Sequence, residues 1–134
     1  MSLAGSRPEI VVIACAVSAG IHGALVPEHF AEGTGAGVGF VVATVSLAAV
    51  VVWVTRRSSR RALAAAAALL GGLIVSYALA ATAGPPVVHP DPEPLDGLAL
   101  ATKAFEAVGL LAASSLLLRP RTTPILPRPK GTST

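Results

Sequence analysis

The sequence predicts an all-α integral membrane protein, a four-transmembrane-helix bundle with both termini in the cytoplasm. Composition is the first observation behind this. Of 134 residues, 53% are hydrophobic and 13% charged, with a mean hydropathy of +0.72, whereas soluble domains carry about 25% charged residues. A chain this small exposes much of its surface, and these polar residues cannot cover it. The second observation is four apolar segments, at about residues 10–26, 38–55, 62–83 and 98–118, close to the roughly 20 residues that a spanning helix needs. The third is charge asymmetry. With four spans, Arg7, Arg56, Arg57, Arg60, Arg61, Arg119, Arg121, Arg128 and Lys130 all fall on one side, which the positive-inside rule makes cytoplasmic. The two opposite loops hold Glu28, His29 and Glu32, then His89, Asp91, Glu93 and Asp96. Lys103 is the one base inside a span.

The same numbers exclude other classes. Disorder and collagen-like fibres do not fit the apolar content. A lone cysteine, Cys15, excludes an internal disulfide and a multi-cysteine zinc site. The net charge of +3 comes from arginines that set topology and touch anionic headgroups. No aromatic residues interleave with them, so no nucleic-acid partner is expected. The bacterial inner membrane is the expected location, with the lipid bilayer itself as a partner.

Residues 1–9 form a short polar lead. Val12-Ile13-Ala14-Cys15 has the form of a lipoprotein cleavage pattern, and Val17-Ser18-Ala19 that of a signal-peptidase site. Too few apolar residues precede either, so the first span is read as uncleaved. Gly33, Gly35, Gly37 and Gly39 are expected to make a loose connection to the second span; no Lys-Ser/Thr ending supports a phosphate loop. Arg56-Arg57-Ser58-Ser59-Arg60-Arg61 is a tight turn that makes spans two and three antiparallel neighbours, with Trp53 as an interfacial anchor. The third span is alanine-rich at residues 64–68 and then carries Gly71 and Gly72. Small residues there allow close packing within the bundle or in a dimer. Five prolines within residues 84–97 favour extended polyproline geometry, a stiff strap over the outer mouth. The membrane domain thus covers residues 1–118, and residues 119–134 read as a disordered Pro-rich cytoplasmic tail.

Ionisable groups inside a span are energetically unfavourable and mark function. His22, Lys103 and Glu106 lie in the outer half by this topology. Asp96, Lys103 and Glu106, spaced by seven and three residues, share one helical stripe, continued by Gly109 and Ala113. Pro27 follows Val26, which it biases away from helix, so residues 27–32 read as a separate interfacial helix beginning at proline. On it Glu28 and Glu32 repel at i,i+4, which protonated His29, Lys103 or a metal ion would relieve. The plainer expectations are a Lys103–Glu106 pair, His22 bonded to Ser18 or a carbonyl, a solvated Glu28–His29–Glu32 group, a solvated His89, Asp91 and Glu93, and Tyr77 as an interfacial anchor.

Three functions fit this cluster. The first is acid–base chemistry on a lipid-soluble, hydrophobic small molecule. Protonating an alkene or epoxide of an isoprenoid needs an acid held among apolar helices. Glu106 is the first choice for that acid, with Asp96 or Glu28 as alternates, and His22 would return or accept the proton. No cofactor is required. The second is copper or zinc binding through His22, His29 and Glu32. The third is a proton or ion pathway, as a homo-oligomer or as a subunit of a larger membrane complex.

The residues His22, Leu25-Val26-Pro27-Glu28-His29, Glu32, Asp96-Gly97-Leu98 and Lys103 resemble those of small four-span bacterial membrane proteins of unassigned role, over most of the chain outside the tail. In size, span count and intramembrane acids the chain also resembles the small membrane-bound terpene cyclases of bacterial hybrid terpenoid pathways. That resemblance implies protonation-initiated cyclisation in isoprenoid biosynthesis.

Overall fold

A computed structural model describes residues 7–83 and 96–119. These form four helices: α1 (Arg7–Glu32), α2 (Thr34–Arg56), α3 (Arg60–Ala83) and α4 (Gly97–Leu117). No strand occurs among the described residues. All four are long and apolar enough to cross a membrane. Their best windows have mean hydropathies of 2.1, 2.4, 2.1 and 1.4; α4 is lowest because it carries Lys103 and Glu106. The expected strap, with His89, Asp91 and Glu93, and the expected tail lie outside the described residues except at their margins.

The helices pack in the cyclic order α1, α2, α3, α4, with α1 and α3 diagonal. Successive helices run antiparallel. One end of the bundle therefore collects Arg56, Arg57, Arg60, Arg61 and Arg119, and the other holds Glu28, His29, Glu32 and Asp96; these are called the arginine end and the histidine end. Local chemistry terminates each helix. The Ser59 hydroxyl accepts from Ala62 N–H at 3.2 Å, and Asp96 accepts from Ala99 N–H at 2.6 Å, so both fill orphan donors at helix starts. Arg60 donates to the carbonyls of Leu117 and Arg119, which ties the start of α3 to the end of α4.

Two sequence expectations are corrected. Pro27 does not divide the chain into a span and an interfacial helix: α1 continues through it to Glu32. Proline removes the N–H that would reach the Gly23 carbonyl, yet proline is tolerated inside membrane helices where neighbouring helices support the turn, and here α2 packs along this part of α1. Nor are the glycines a loose connection. The link is Gly33 alone, in extended conformation, and Gly35, Gly37 and Gly39 belong to α2. Gly37 has a packing reason: a Cβ there would run into the ring of Phe30. The ring crosses the α1–α2 seam at that point, and a larger residue would push the helices apart.

The apolar core lies toward the arginine end. Val11 and Cys15 of α1, Leu47, Val50 and Val54 of α2, Ala62, Leu63, Ala66 and Leu70 of α3, and Ala113 of α4 form one buried cluster. Outward-facing residues are also apolar, including Val42, Val45, Leu79 and Leu111. A surface of that kind matches a hydrocarbon solvent.

Candidate functional site

Just beyond this core, toward the histidine end, the bundle interior becomes polar. Glu106 has 0% exposure. Its Oε1 accepts from the Ser18 hydroxyl at 2.7 Å, and its Oε2 accepts from Lys103 Nζ at 2.7 Å. Both carboxyl oxygens are thereby engaged, one by α1 and one by its own helix. Lys103 keeps 17% of its side chain exposed. Its Nζ also reaches the Leu73 carbonyl at 3.5 Å and lies 5.4 Å from the centre of the Tyr77 ring. Lys103 and Glu106 meet because i,i+3 side chains on a helix are neighbours. In a low-dielectric interior such a pair persists where each charge has further partners, and these two have them.

The approach of α1 to α4 depends on Gly109, one turn from Glu106. A Cβ at Gly109 would lie 2.6 Å from Ala14 Cβ and 2.9 Å from Leu70 Cδ1. Glycine lets the backbones close to a distance at which the short Ser18 side chain can span the gap. Small residues serve membrane helix pairs in this way.

His22 extends the polar group upward on α1. Its Nδ1 lies 2.9 Å from the Ser18 carbonyl and 3.3 Å from the Ser18 hydroxyl oxygen. A carbonyl only accepts, so the proton sits on Nδ1, and Nε2 is the nitrogen that would take a second one. The Phe40 ring of α2 packs beside His22, with centroids 5.1 Å apart. Phe40 also stacks on His29, at 3.5 Å and 22°. His29 Nδ1 donates to the Leu25 carbonyl at 3.0 Å, and its Nε2 is 3.9 Å from Glu32 Oε2.

The structure therefore joins Glu106, Lys103 and His22 through Ser18, and places His29 and Glu32 above them across Phe40. It does not bring in two other expected residues. Asp96 is exposed and caps α4, two helical turns from Lys103, and Glu28 is exposed on α1. Of the residues in the copper or zinc reading, His29 and Glu32 are 3.9 Å apart, and His22 and His29 each pack against the Phe40 ring. Among the described residues no three His, Cys, Asp or Glu side chains group as a metal ion would require. Sequence reasoning missed Ser18 as the donor to Glu106 and Phe40 as the spacer. Tyr77 presents its ring to Lys103, which places it at the site.

Between α2 and α3, the least closely packed neighbours, runs a groove of about 240 Å³. It is lined by small and apolar residues, among them Gly39, Ala43, Ala68, Gly72 and Leu73. Leu73 connects the two features, since its carbonyl is the one that Lys103 approaches.

The fold and site define an all-α protein with four membrane-span-like helices and a buried acid–base cluster in one half. Compared with protein-family models, curated proteins and solved structures, the chain gives no match.

Proposed function

We propose that this chain is a membrane-embedded acid–base enzyme that acts on an apolar, isoprenoid-bearing molecule. It would reside in the bacterial inner membrane with its arginine end in the cytoplasm. The observation that carries the proposal is the fully buried Glu106 carboxyl, held between the Ser18 hydroxyl and the Lys103 ammonium, with His22 one contact beyond Ser18. The reaction it suits is protonation-initiated cyclisation. Glu106 in its carboxylic form gives its proton to an alkene or epoxide, and Lys103 stabilises the carboxylate left behind. The resulting carbocation closes a ring beside the faces of Phe40 and Tyr77, since ring faces attract cations. Loss of a proton to His22 ends the reaction, and a proton passed from His22 through Ser18 restores Glu106.

The α2–α3 groove supports an apolar substrate, because it would admit a hydrocarbon chain sideways from the lipid toward Leu73 and Lys103. The dry packing of the arginine half favours this reading over a conduit that crosses the whole membrane within one chain. Product analysis by mass spectrometry tests it. Membranes containing the protein, given linear isoprenoid-bearing compounds, are expected to form an isomer of unchanged mass. The Glu106→Gln protein is expected to form none. Correctly inserted protein that yields no isomer from any such compound would remove the proposal.

A further inference from the structure

Two proton-holding stretches stand in line along α1, and one ring separates them. The inner stretch is His22, Ser18 and Glu106, with contacts of 3.3 and 2.7 Å. The outer stretch is Glu32 and His29, 3.9 Å apart, at the histidine end where Glu32 meets the surface. Phe40 lies against both imidazoles. Each histidine has its Nδ1 proton committed to a carbonyl of its own helix, so each is set to load a second proton at Nε2. The backbone at Phe40 is anchored on one side, because the Thr44 hydroxyl donates to the Phe40 carbonyl at 2.8 Å. Movement there is consequently left to the ring.

We propose that Phe40 gates a proton-uptake path from Glu32 and His29 through His22 and Ser18 to Glu106. This rests on the acid–base reading above and names how Glu106 is protonated before its first turnover and reprotonated whenever the product's proton leaves to solvent instead of to His22. With the ring between the histidines the path is open-circuit. When the ring swings aside, water connects His29 to His22, and a proton passes from the His29 imidazolium to His22 Nε2. The His22 imidazolium then gives its Nδ1 proton to the Ser18 oxygen while the Ser18 hydroxyl proton moves to Glu106 Oε1. The products are neutral His22, an intact serine and a carboxylic acid, so charge and protons balance. Among the described residues, the other polar or titratable groups around the path are Cys15 of α1, Tyr77 of α3, Thr102 and Lys103 of α4, with Glu28 and Asp96 at the mouth. On α2 the titratable group is Arg56, at the opposite end. Lys103 holds the carboxylate in place between deliveries. Beyond Glu106, toward the arginine end, the interior is lined by Ala14, Leu70, Ala113 and the buried Cys15 thiol, with no further buried carboxyl or imidazole among the described residues.

The test uses the full-length protein in phosphatidylcholine vesicles and no substrate. After a rapid drop in pH, time-resolved infrared spectroscopy follows the carboxyl band of Glu106, assigned by its loss in Glu106→Gln. His29→Ala is expected to slow protonation about a hundredfold, the lower end of what a positioned proton-transfer group contributes. Imidazole added to the solution is expected to restore the rate, which a merely structural role for His29 would not produce. Phe40→Ala is expected to accelerate protonation by a similar factor, and Phe40→Leu by less. Phe40→Leu serves alone if the alanine variant fails to fold. Rates equal to wild type in the Phe40 variants, or a His29→Ala defect that imidazole leaves unchanged, overturn the inference. So does a Glu106 band that shows no change from carboxylate to carboxylic acid after the pH drop. Normal gating without turnover removes the enzyme reading alone, and turnover without gating removes this inference alone.

Discussion

At the arginine end the four helices meet through Val11, Leu47, Val54, Leu63, Ala66 and Ala113; at the histidine end they meet through Ser18, His22, Phe40, Tyr77, Lys103 and Glu106. The interior of the first half is held by packing, with Arg60 tying α3 to α4 at its rim. In lipid such packing gains no hydrophobic drive between helices and relies on close contact. The second half is held by directional bonds whose partners cannot be exchanged for water. The difference teaches where each kind of damage should appear. Volume changes should matter most near the apolar core, and charge changes most around Glu106, with Gly109 at the boundary sensitive to both.

The largest expected effect tests the polar half. Lys103→Met leaves Glu106 buried without its counter-charge, a loss of about 3–5 kcal/mol for a buried pair broken on one side. Replacing both, as Lys103→Met with Glu106→Leu, should recover most of that stability, because an apolar pair of similar volume has no charge to strand. Detergent-induced unfolding followed by circular dichroism measures both. A double variant no better than the single one would show that the pair does more for the fold than neutralise itself.

Next comes the boundary. Gly109→Ala forces a methyl group onto Ala14 and Leu70 and should cost about 1–3 kcal/mol, as overpacked cores do. It should also draw Ser18 away from Glu106, visible as a shift of the Glu106 infrared band. Loss of stability without that shift would place the strain on Leu70 rather than on the α1–α4 approach. The smallest effect belongs to the mouth. Asp96→Ala removes a cap and should cost about 1 kcal/mol in the same unfolding measurement, leaving the Glu106 band unmoved.

Much of the architecture was legible in the sequence, because spanning segments announce themselves by length and apolarity. The predicted second and third spans, residues 38–55 and 62–83, fall within α2 and α3. The Lys103–Glu106 pair was legible for a similar reason, since helical geometry forces an i,i+3 contact. The misreadings at Pro27 and at the glycines came from rules of short-range chemistry that packing overrides: α2 supports the proline turn, and Phe30 requires Gly37. The Ser18–Glu106 bond was hidden more deeply. Hydroxyls in these helices mostly bond the carbonyl one turn back, as Thr44, Thr55, Thr82 and Thr102 do. A serine reaching across to a residue 88 positions later leaves no local signature.

The dry half has an electrical consequence. With the chain in a bilayer, a transmembrane voltage would fall mainly across an apolar, closely packed section such as the arginine half. Moving one elementary charge through a full 100 mV is worth about 2.3 kcal/mol, so a group reached across that section would feel the cell's energised state. Glu106 lies at its edge and, by the proposed uptake path, would be reached from the other side. Its protonation would follow the acidity of the compartment at the histidine end and stay nearly indifferent to voltage, and drawing protons through it would not discharge the membrane.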